Sequence, residues 1–566
     1  MLDCIIRNGT IIDGTGTPGM SADVGISDGR ISAIAKVGAL GATRRSIDAE
    51  GLVVAPGFVD VHTHYDAQVM WDPALSPSSL HGVTTVLGGN CGFTIAPVSD
   101  DSKEYVLHML AAVEAMPVPA LLTALKFSWH TFGEWLDQLE GKVALNTGFS
   151  VGHSTIRRMI MGEDWRRAAT QSEIDAMAKV VDESLGAGAL GFSSSWGDVH
   201  ADHQGHPVPS RMAKREELIA LASVLRRHPG TMLEFIPGNQ AVFRDEAVEL
   251  MADMSAAAGR PLNWNAITVG TGVTWEDNQR RMAVSDRASA RGGRVTGLAF
   301  PTTQPIWVDI NSLAFNGLAG WAEVMNQPRD AKVRALSDPA TRARLAKGAE
   351  GREDRTFYNF AAMLVDSVQS AQLKPLEGRV LGEIASERGC SAVEAFLDIV
   401  IADDLRARFV TGASGDDAES WSQRARIWND PRVLVGGSDA GAHVDVFASY
   451  SFFTDFIGPS VRERKLISLE DAIHKITDQP ARFFGLKGRG RIAEGWCADI
   501  VVFDPATVRS NKVALRADMP ANQSRLYADA SGIEHVLVNG VEVTTHGRMT
   551  GEVPGTVLRS GRDTGE

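Results

Sequence analysis

His62 and His64 stand one residue apart in the stretch GFVDVHTHYD, directly behind apolar β-branched residues. Side chains alternate faces along an extended chain, so residues i and i+2 project together. Two imidazoles aimed the same way offer neutral nitrogen lone pairs at a fixed separation, which suits a divalent metal. On these residues alone, a pair of solvated loop histidines is the other reading. Further on, Cys91 in GGNCGFTIAP, His153 in VGHSTIRRMIMG, Ser193 to Ser195 in GFSSSW, Glu234 in LEFIPG, Asn265 in NWNA and Asp439 in GGSDAGAH each lie at or just past the end of an apolar run. Nitrogen and sulfur donors with one aspartate suffice for a zinc site. Each residue also has a structural reading: Cys91 as a small buried side chain, His153 as a satisfied core histidine, Asp439 as a helix cap. Their arrival at the same end of successive strands favours chemistry.

The elements that must position them follow an alternating pattern. GFVDVHTH, GVTTVLGG, ALNTGFSVGH, GALGFSSS, TMLEFI, PLNWNAI, GRVTGLAF and RVLVGGSD read as strands. QSEIDAMAKVVDESLGAG, KREELIALASVLRRH and RDEAVELMADMSAAAGR place apolar residues at three- and four-residue spacing, as helices do. Eight strand candidates alternating with helices predict an α/β chain, a (β/α)8 TIM-type barrel over residues 56–487, with a doubly wound sheet as the alternative. Barrel enzymes carry their chemistry at the C-terminal strand ends, where these polar residues gather. Residues 1–55 and 488–550 read instead as short strands with Asn-Gly and Asp-Gly turns, which predicts one small β-sandwich built from both termini. Residues 305–395 read as a long irregular insertion, TTQPIWVDINSLAFNG followed by charged helical turns, either a lid or pocket wall or a plain structural insertion.

Composition narrows the partners. A formal charge of -14 over 566 residues argues against a nucleic-acid or anionic-membrane surface and leaves a small molecule as the expected partner. The four cysteines, Cys4, Cys91, Cys390 and Cys497, form no CxxC pair, so neither a disulfide framework nor a zinc finger is expected. No basic leader or membrane-length apolar run is evident, and a reducing cytoplasm fits best. Oligomeric state is open, a homo-oligomer included.

PGFVDVHTHYD, GVTTVLGGNCGFTIAP, VGHSTIRRMIMG, GALGFSSS and GGSDAGAH, framed by the terminal strands and ADIVVFD, resemble the amidohydrolase superfamily, specifically its N-acyl-D-amino-acid deacylase (D-aminoacylase) branch. The resemblance covers nearly the whole chain. It implies a metal-bearing barrel with one or two Zn2+ ions, His62, His64 and Cys91 as ligands, and Asp439 as the last-strand aspartate that handles the proton. The chain departs from the branch where a THxR-like and an SHxK-like stretch each carry a metal-binding histidine, because TMLEFIPG and LNWNAITVG contain none. Glu234 stands at or beside the first position and is expected as a metal ligand with Asp439, since a carboxylate can ligate zinc, while Asn265 or Ala266 stands near the second and neither is a good ligand. The branch's substrate-carboxylate lysine is also missing, and Arg157, Arg211 and Arg244 are the candidates to replace it.

His153, His200, Ser195, Asn265 and His443 are the expected substrate contacts, with His200 chosen from the run SWGDVHADHQGHPVPSR. Trp196, Trp264 and Phe300 suggest an apolar side to the pocket. The expected function is a metal-dependent hydrolase of a linear, non-peptide amide C–N bond, an N-acyl-D-amino acid or related N-acyl amide. The alternatives are a hydantoin or lactam hydrolase, against which GALGFSSS offers no lysine for carbamylation, and a non-catalytic small-molecule-binding barrel. A serine-triad reading of GFSSSW lacks the GxSxG elbow.

Overall fold

The computed structural model describes residues 1–238, 243–270, 272–351, 358–412 and 414–565. The chain is α/β and divides into two compact units, residues 1–302, 418–444 and 449–566 in the first and 303–417 with 445–448 in the second.

All eight expected strand segments carry a strand of the first unit. Phe58–Asp60, Val83–Gly88 and Asn146–Phe149 form a parallel sheet. Val151–Gly152, Gly191–Ser195, Met232–Ile236, Pro261–Ile267, Arg294–Ala299 and Val433–Val435 form a second, with every pairing parallel. Only Ser150 separates Phe149 from Val151, so one pass of the chain serves both sheets. At their other edges a parallel bridge joins Thr63 to Ala440. These strands read as continuous apolar runs because both faces are buried, as parallel strands between helices require.

The helices between them obey local rules. Gln171–Gly186 opens with a capping box in which the Thr170 hydroxyl accepts from the Glu173 amide and the Glu173 carboxylate returns to Thr170. Trp275–Ser289 opens the same way with Thr274 and Asp277. Asp245–Ala258 ends at Gly259, whose left-handed backbone suits a residue without Cβ.

Both termini enter one nine-stranded sheet, in which Val53–Pro56 pairs antiparallel with Ile500–Phe503. Apolar residues from both ends share its core, Ile6, Val24 and Val54 meeting Ile500, Val502 and Leu537.

The second unit differs from the expected irregular insertion. It holds a three-stranded antiparallel sheet, Trp307–Asp309, Arg408–Val410 and Leu364–Ser367. Arg329–Ser337, Pro339–Ala349, Leu381–Arg388 and Ala392–Ala402 are regular helices. Its core is its own, built on Trp321, Phe360, Phe396 and Phe409. The sheet and the regular helices went unread because the apolar anchors are spread over short segments separated by charged turns, so no single window shows a period.

Candidate metal centre

The strand Phe58–Asp60 ends two residues before His62, and the chain bends at His62 before the helix that starts at Tyr65. Thr63 donates its amide to the Leu87 carbonyl at 3.0 Å, His64 to the Ala440 carbonyl at 2.7 Å, and Asp439 to the His62 carbonyl at 2.9 Å. Pinned on both sides, the segment holds both imidazoles toward the same space, each Nε2 within 3.8 Å of Cys91 Sγ. Gly441 makes the closeness possible: a Cβ there would lie 2.6 Å from the His64 carbonyl oxygen, on a backbone with φ of +92°.

Cys91 reaches this space from the turn after Val83–Gly88. Its backbone is left-handed, φ +57°, as is that of Asp439 at +59°. Such geometry is uncommon for residues with a Cβ and needs support from its surroundings. For Cys91 the support is Glu234, whose Oε2 accepts the Cys91 amide at 2.8 Å. For Asp439 it is Asp60, which accepts from the Ser438 amide at 3.1 Å and from its hydroxyl.

Cys91 Sγ lies 3.5 Å from His62 Nε2 and 3.8 Å from His64 Nε2. Asp439 Oδ1 lies 3.0 Å from His64 Nε2 and 3.5 Å from His62 Nε2. A tetrahedral zinc with bonds of about 2.0–2.3 Å spaces its ligand atoms by about 3.3–3.6 Å. The spacing therefore fits such an ion. Among the described residues, His62, His64 and Cys91 are the group whose ligand atoms all lie within 4.8 Å of one another.

The electrostatics point the same way. Burial pushes the Asp60 carboxyl up to about 6, and those of Asp66 and Glu234 up to about 7. Burial, with Asp439, Asp66 and Glu234 nearby, holds Glu114 well above the ordinary carboxylate range. The Cys91 thiol is raised by burial, Glu234, Glu114 and Asp439. Burial would raise Asp439 too, but hydrogen bonds from His62 and His64 hold it well below its usual value. So many buried acids around two imidazoles form a place that a cation would stabilise.

The other expected residues fall into distinct positions. Glu234, expected as a ligand, has both oxygens engaged, one by the Cys91 amide and one by Asn265 Nδ2, so it braces Cys91 and stands outside the three-donor group. Asn265 is thus a partner of Glu234. His153, expected as a substrate contact, is fully buried with Nδ1 2.8 Å from Ser194 Oγ and Nε2 2.9 Å from Glu217 Oε1, which leaves neither ring nitrogen for a substrate. Glu217 also accepts from Arg157, so Arg157 is committed to the core. Ser195 Oγ accepts from the Gly197 amide and meets His200 Nδ1 at 2.7 Å, so Ser195 orients His200. Burial lowers His200 to about 3, which keeps it neutral. His443 Nε2 lies 3.9 Å from Asp439 Oδ2, on the same side as the histidine pair. Trp264 is wholly buried and belongs to the core.

Two supporting residues escaped the sequence reading. Asp60 lies inside the quoted stretch, at the end of the buried strand Phe58–Asp60. Glu114 Oε1 stands 3.1 Å from His64 Nδ1, and its backbone carbonyl accepts from the His443 amide. The one signal was an isolated acid at the end of the apolar helix Lys103–Val113.

An α/β scaffold presenting two histidines, a cysteine and an aspartate from parallel strand ends defines a metal-centred hydrolase class. A family model described as the amidohydrolase family matches residues 45–544, and the chain belongs to that family. It is 30% identical over 570 residues to an N-acyl-D-aspartate deacylase of Alcaligenes xylosoxydans xylosoxydans, covering 99% of this chain and 95% of that one. Among solved structures, N-acyl-D-glutamate deacylase from Bordetella bronchiseptica, complexed with zinc and a phosphonate inhibitor, is similar at 27% identity and a TM-score of 0.65, covering 99% of this chain and all of that one. A D-aminoacylase with a binuclear metal centre matches at 28% identity and a TM-score of 0.66, with the same coverage. Among the described residues no helix is long and apolar enough to cross a membrane.

Proposed function

We propose that this protein is a zinc-dependent hydrolase of N-acyl amino acids, D-configured ones first, working in a (β/α)8 barrel closed by the Ser150 junction and the Thr63 to Ala440 bridge. The terminal β region and residues 303–417 are read as accessory to that barrel. The observation that carries the reading is the ligand-spaced group His62, His64, Cys91 with Asp439 beside it. The named activities of the D-aspartate and D-glutamate deacylases support the substrate class.

His62, His64 and Cys91 would hold the ion, and the buried acids around them favour its charge. When bound, zinc supplies a polarising charge for the acyl carbonyl and lowers the pKa of water toward neutrality. Asp439 Oδ1 takes up the proton that the attacking water gives up and returns it to the amide nitrogen as the C–N bond breaks. The water oxygen stays on the acyl carbon, so the products are a carboxylate and an amine. His200, neutral and oriented by Ser195, and His443 flank that exchange. Glu234 keeps the Cys91 backbone in place. One ion is the simplest stoichiometry, because Glu234 and Asn265 are occupied by one another where a second nitrogen pair would be needed. The chain's four thiols are free, which suits a reducing compartment.

The test is hydrolysis of paired N-acetyl-D- and N-acetyl-L-amino acids by zinc-loaded and chelated protein. Metal-dependent release of free amino acid, faster from the D series, is expected. Equal inactivity of both preparations across the panel would overturn the reading.

A further inference from the structure

At the end of the parallel strands opposite the candidate metal centre, the first residues of Met232–Ile236, Pro261–Ile267 and Arg294–Ala299 edge an open hollow of about 410 Å³. Strands of this length, rising about 3.3 Å per residue, set it roughly 15–20 Å from the strand ends that gather His62, Cys91 and Asp439. Arg260, Arg294 and Arg482 line the hollow, and among the described residues its wall contains no acidic one. On a chain of formal charge -14 such a wall is a local exception.

The three guanidinium groups are under-matched. Arg294 has no carboxylate within ion-pair distance among the described residues. Its Nη2 makes a long contact of 3.5 Å with the Phe483 carbonyl, and its head lies 5.2 Å from the centre of the Phe483 ring. Burial pulls its pKa down, with no acid to raise it. Arg260 gives Nε and Nη1 to the carbonyls of His228 and Gly259, each at 3.2 Å. Arg482 meets Asp478 at 2.6 Å, but Arg491 takes the same carboxylate through hydrogen bonds of 2.5 and 3.1 Å. One negative charge therefore serves two guanidinium groups.

The rest of the wall offers apolar surface and room. The Phe483 and Phe484 rings stand edge to face with centres 5.3 Å apart. Gly292 turns left-handed, φ +76°, and a Cβ there would meet nothing within 4 Å. A second hollow of about 530 Å³ shares Arg294, Arg482 and Phe483 with the first, so the space continues past the arginines. Its own Arg432 is already matched by Asp430 and Asp286.

We infer that this hollow binds an organic phosphate, a doubly charged oxyanion on an apolar body, at a site separate from the metal centre. Guanidinium forks match phosphate oxygens in pairs, and the two phenylalanine rings give the body a face to pack on. A phosphate monoester carries about -1.5 to -2 near neutral pH, which suits three arginines better than the single charge of a carboxylate. The site is independent of the reaction at the other end of the strands.

The test is calorimetric titration of zinc-loaded protein with phenyl phosphate, inorganic phosphate and phenol, repeated on protein carrying Arg260→Gln and Arg294→Gln together. Phenyl phosphate should bind saturably and more tightly than either other probe, and the paired substitution should weaken it by about tenfold. Phosphate held by a bound zinc is told apart by His62→Ala, which removes that binding and should leave the hollow's intact. Thermal melts check folding. Arg294→Gln alone, which gives up only the long contact to Phe483, repeats the test if the paired variant is unstable. No saturable binding of phenyl phosphate, an equal affinity for phenol or inorganic phosphate, or arginine variants that bind like wild type would overturn the site.

Discussion

His64 Nδ1 and Glu114 Oε1 lie 3.1 Å apart, both on side chains no more than 3% exposed, while His64 Nε2 faces Asp439 and Cys91. The angle between them makes no hydrogen bond as the side chains stand, and a small ring rotation would let Nδ1 donate to Glu114 and leave Nε2 with a lone pair for the ion. Glu114→Gln keeps the shape and removes the acid that a bound cation would ionise, and zinc affinity should fall by about 10–100-fold. Competition with a chromophoric chelator measures it. Unchanged affinity would reduce Glu114 to a packing role.

Asp439→Asn should lower turnover by about 10²–10⁴-fold while the protein stays folded and still takes up zinc through His62, His64 and Cys91. Single-turnover kinetics beside elemental analysis separates the two effects. A variant that loses zinc in proportion to activity would make Asp439 a ligand first.

Asp66 sets a pH dependence in the metal-free protein. Burial lifts its carboxyl from 3.8 to about 7, with the Gly89 amide its hydrogen-bond donor at 3.1 Å. Between those values the native state keeps a proton that the unfolded chain has lost, so stability falls as pH rises through that window and levels off above about 7. Melting temperatures of metal-free protein should therefore drop from pH 5 to pH 7 more steeply in wild type than in Asp66→Asn. Parallel curves would show that Asp66 is ionised throughout.

The buried trio of Arg157, Glu217 and His153 makes a different demand. Glu217 accepts from Arg157 at 3.0 and 3.1 Å and meets His153 at 2.9 Å. Glu217→Ala strands a buried guanidinium and should cost about 3–5 kcal/mol. Chemical denaturation measures this, and a loss under about 1 kcal/mol would show that water or another acceptor replaces the carboxylate.

Much of this centre was legible because it rests on short-range rules. The i and i+2 spacing of His62 and His64 gave their common direction, and the runs before Cys91 and Asp439 gave their strand ends. The eight parallel strands followed from apolar runs bounded by helical periods. What was hidden depends on distant partners. Glu114 meets His64 across fifty residues of sequence, and nothing near it marks the contact. His153 resembled a site residue until Ser194 and Glu217 filled both its nitrogens. Glu234 occupies a plausible ligand position, but the left-handed turn at Cys91 draws its carboxylate to a backbone amide. Residues 303–417 concealed a core whose anchors lie on separate short elements.

The central claim is that His62, His64 and Cys91 hold a metal ion, and elemental analysis of purified protein tests it most directly. Wild type should carry about one zinc per chain, two at most, and His62→Ala and Cys91→Ala should each fall well below it with melting curves that still show a folded chain. Wild type without bound metal after zinc is supplied, or variants that retain the full complement, would contradict the account.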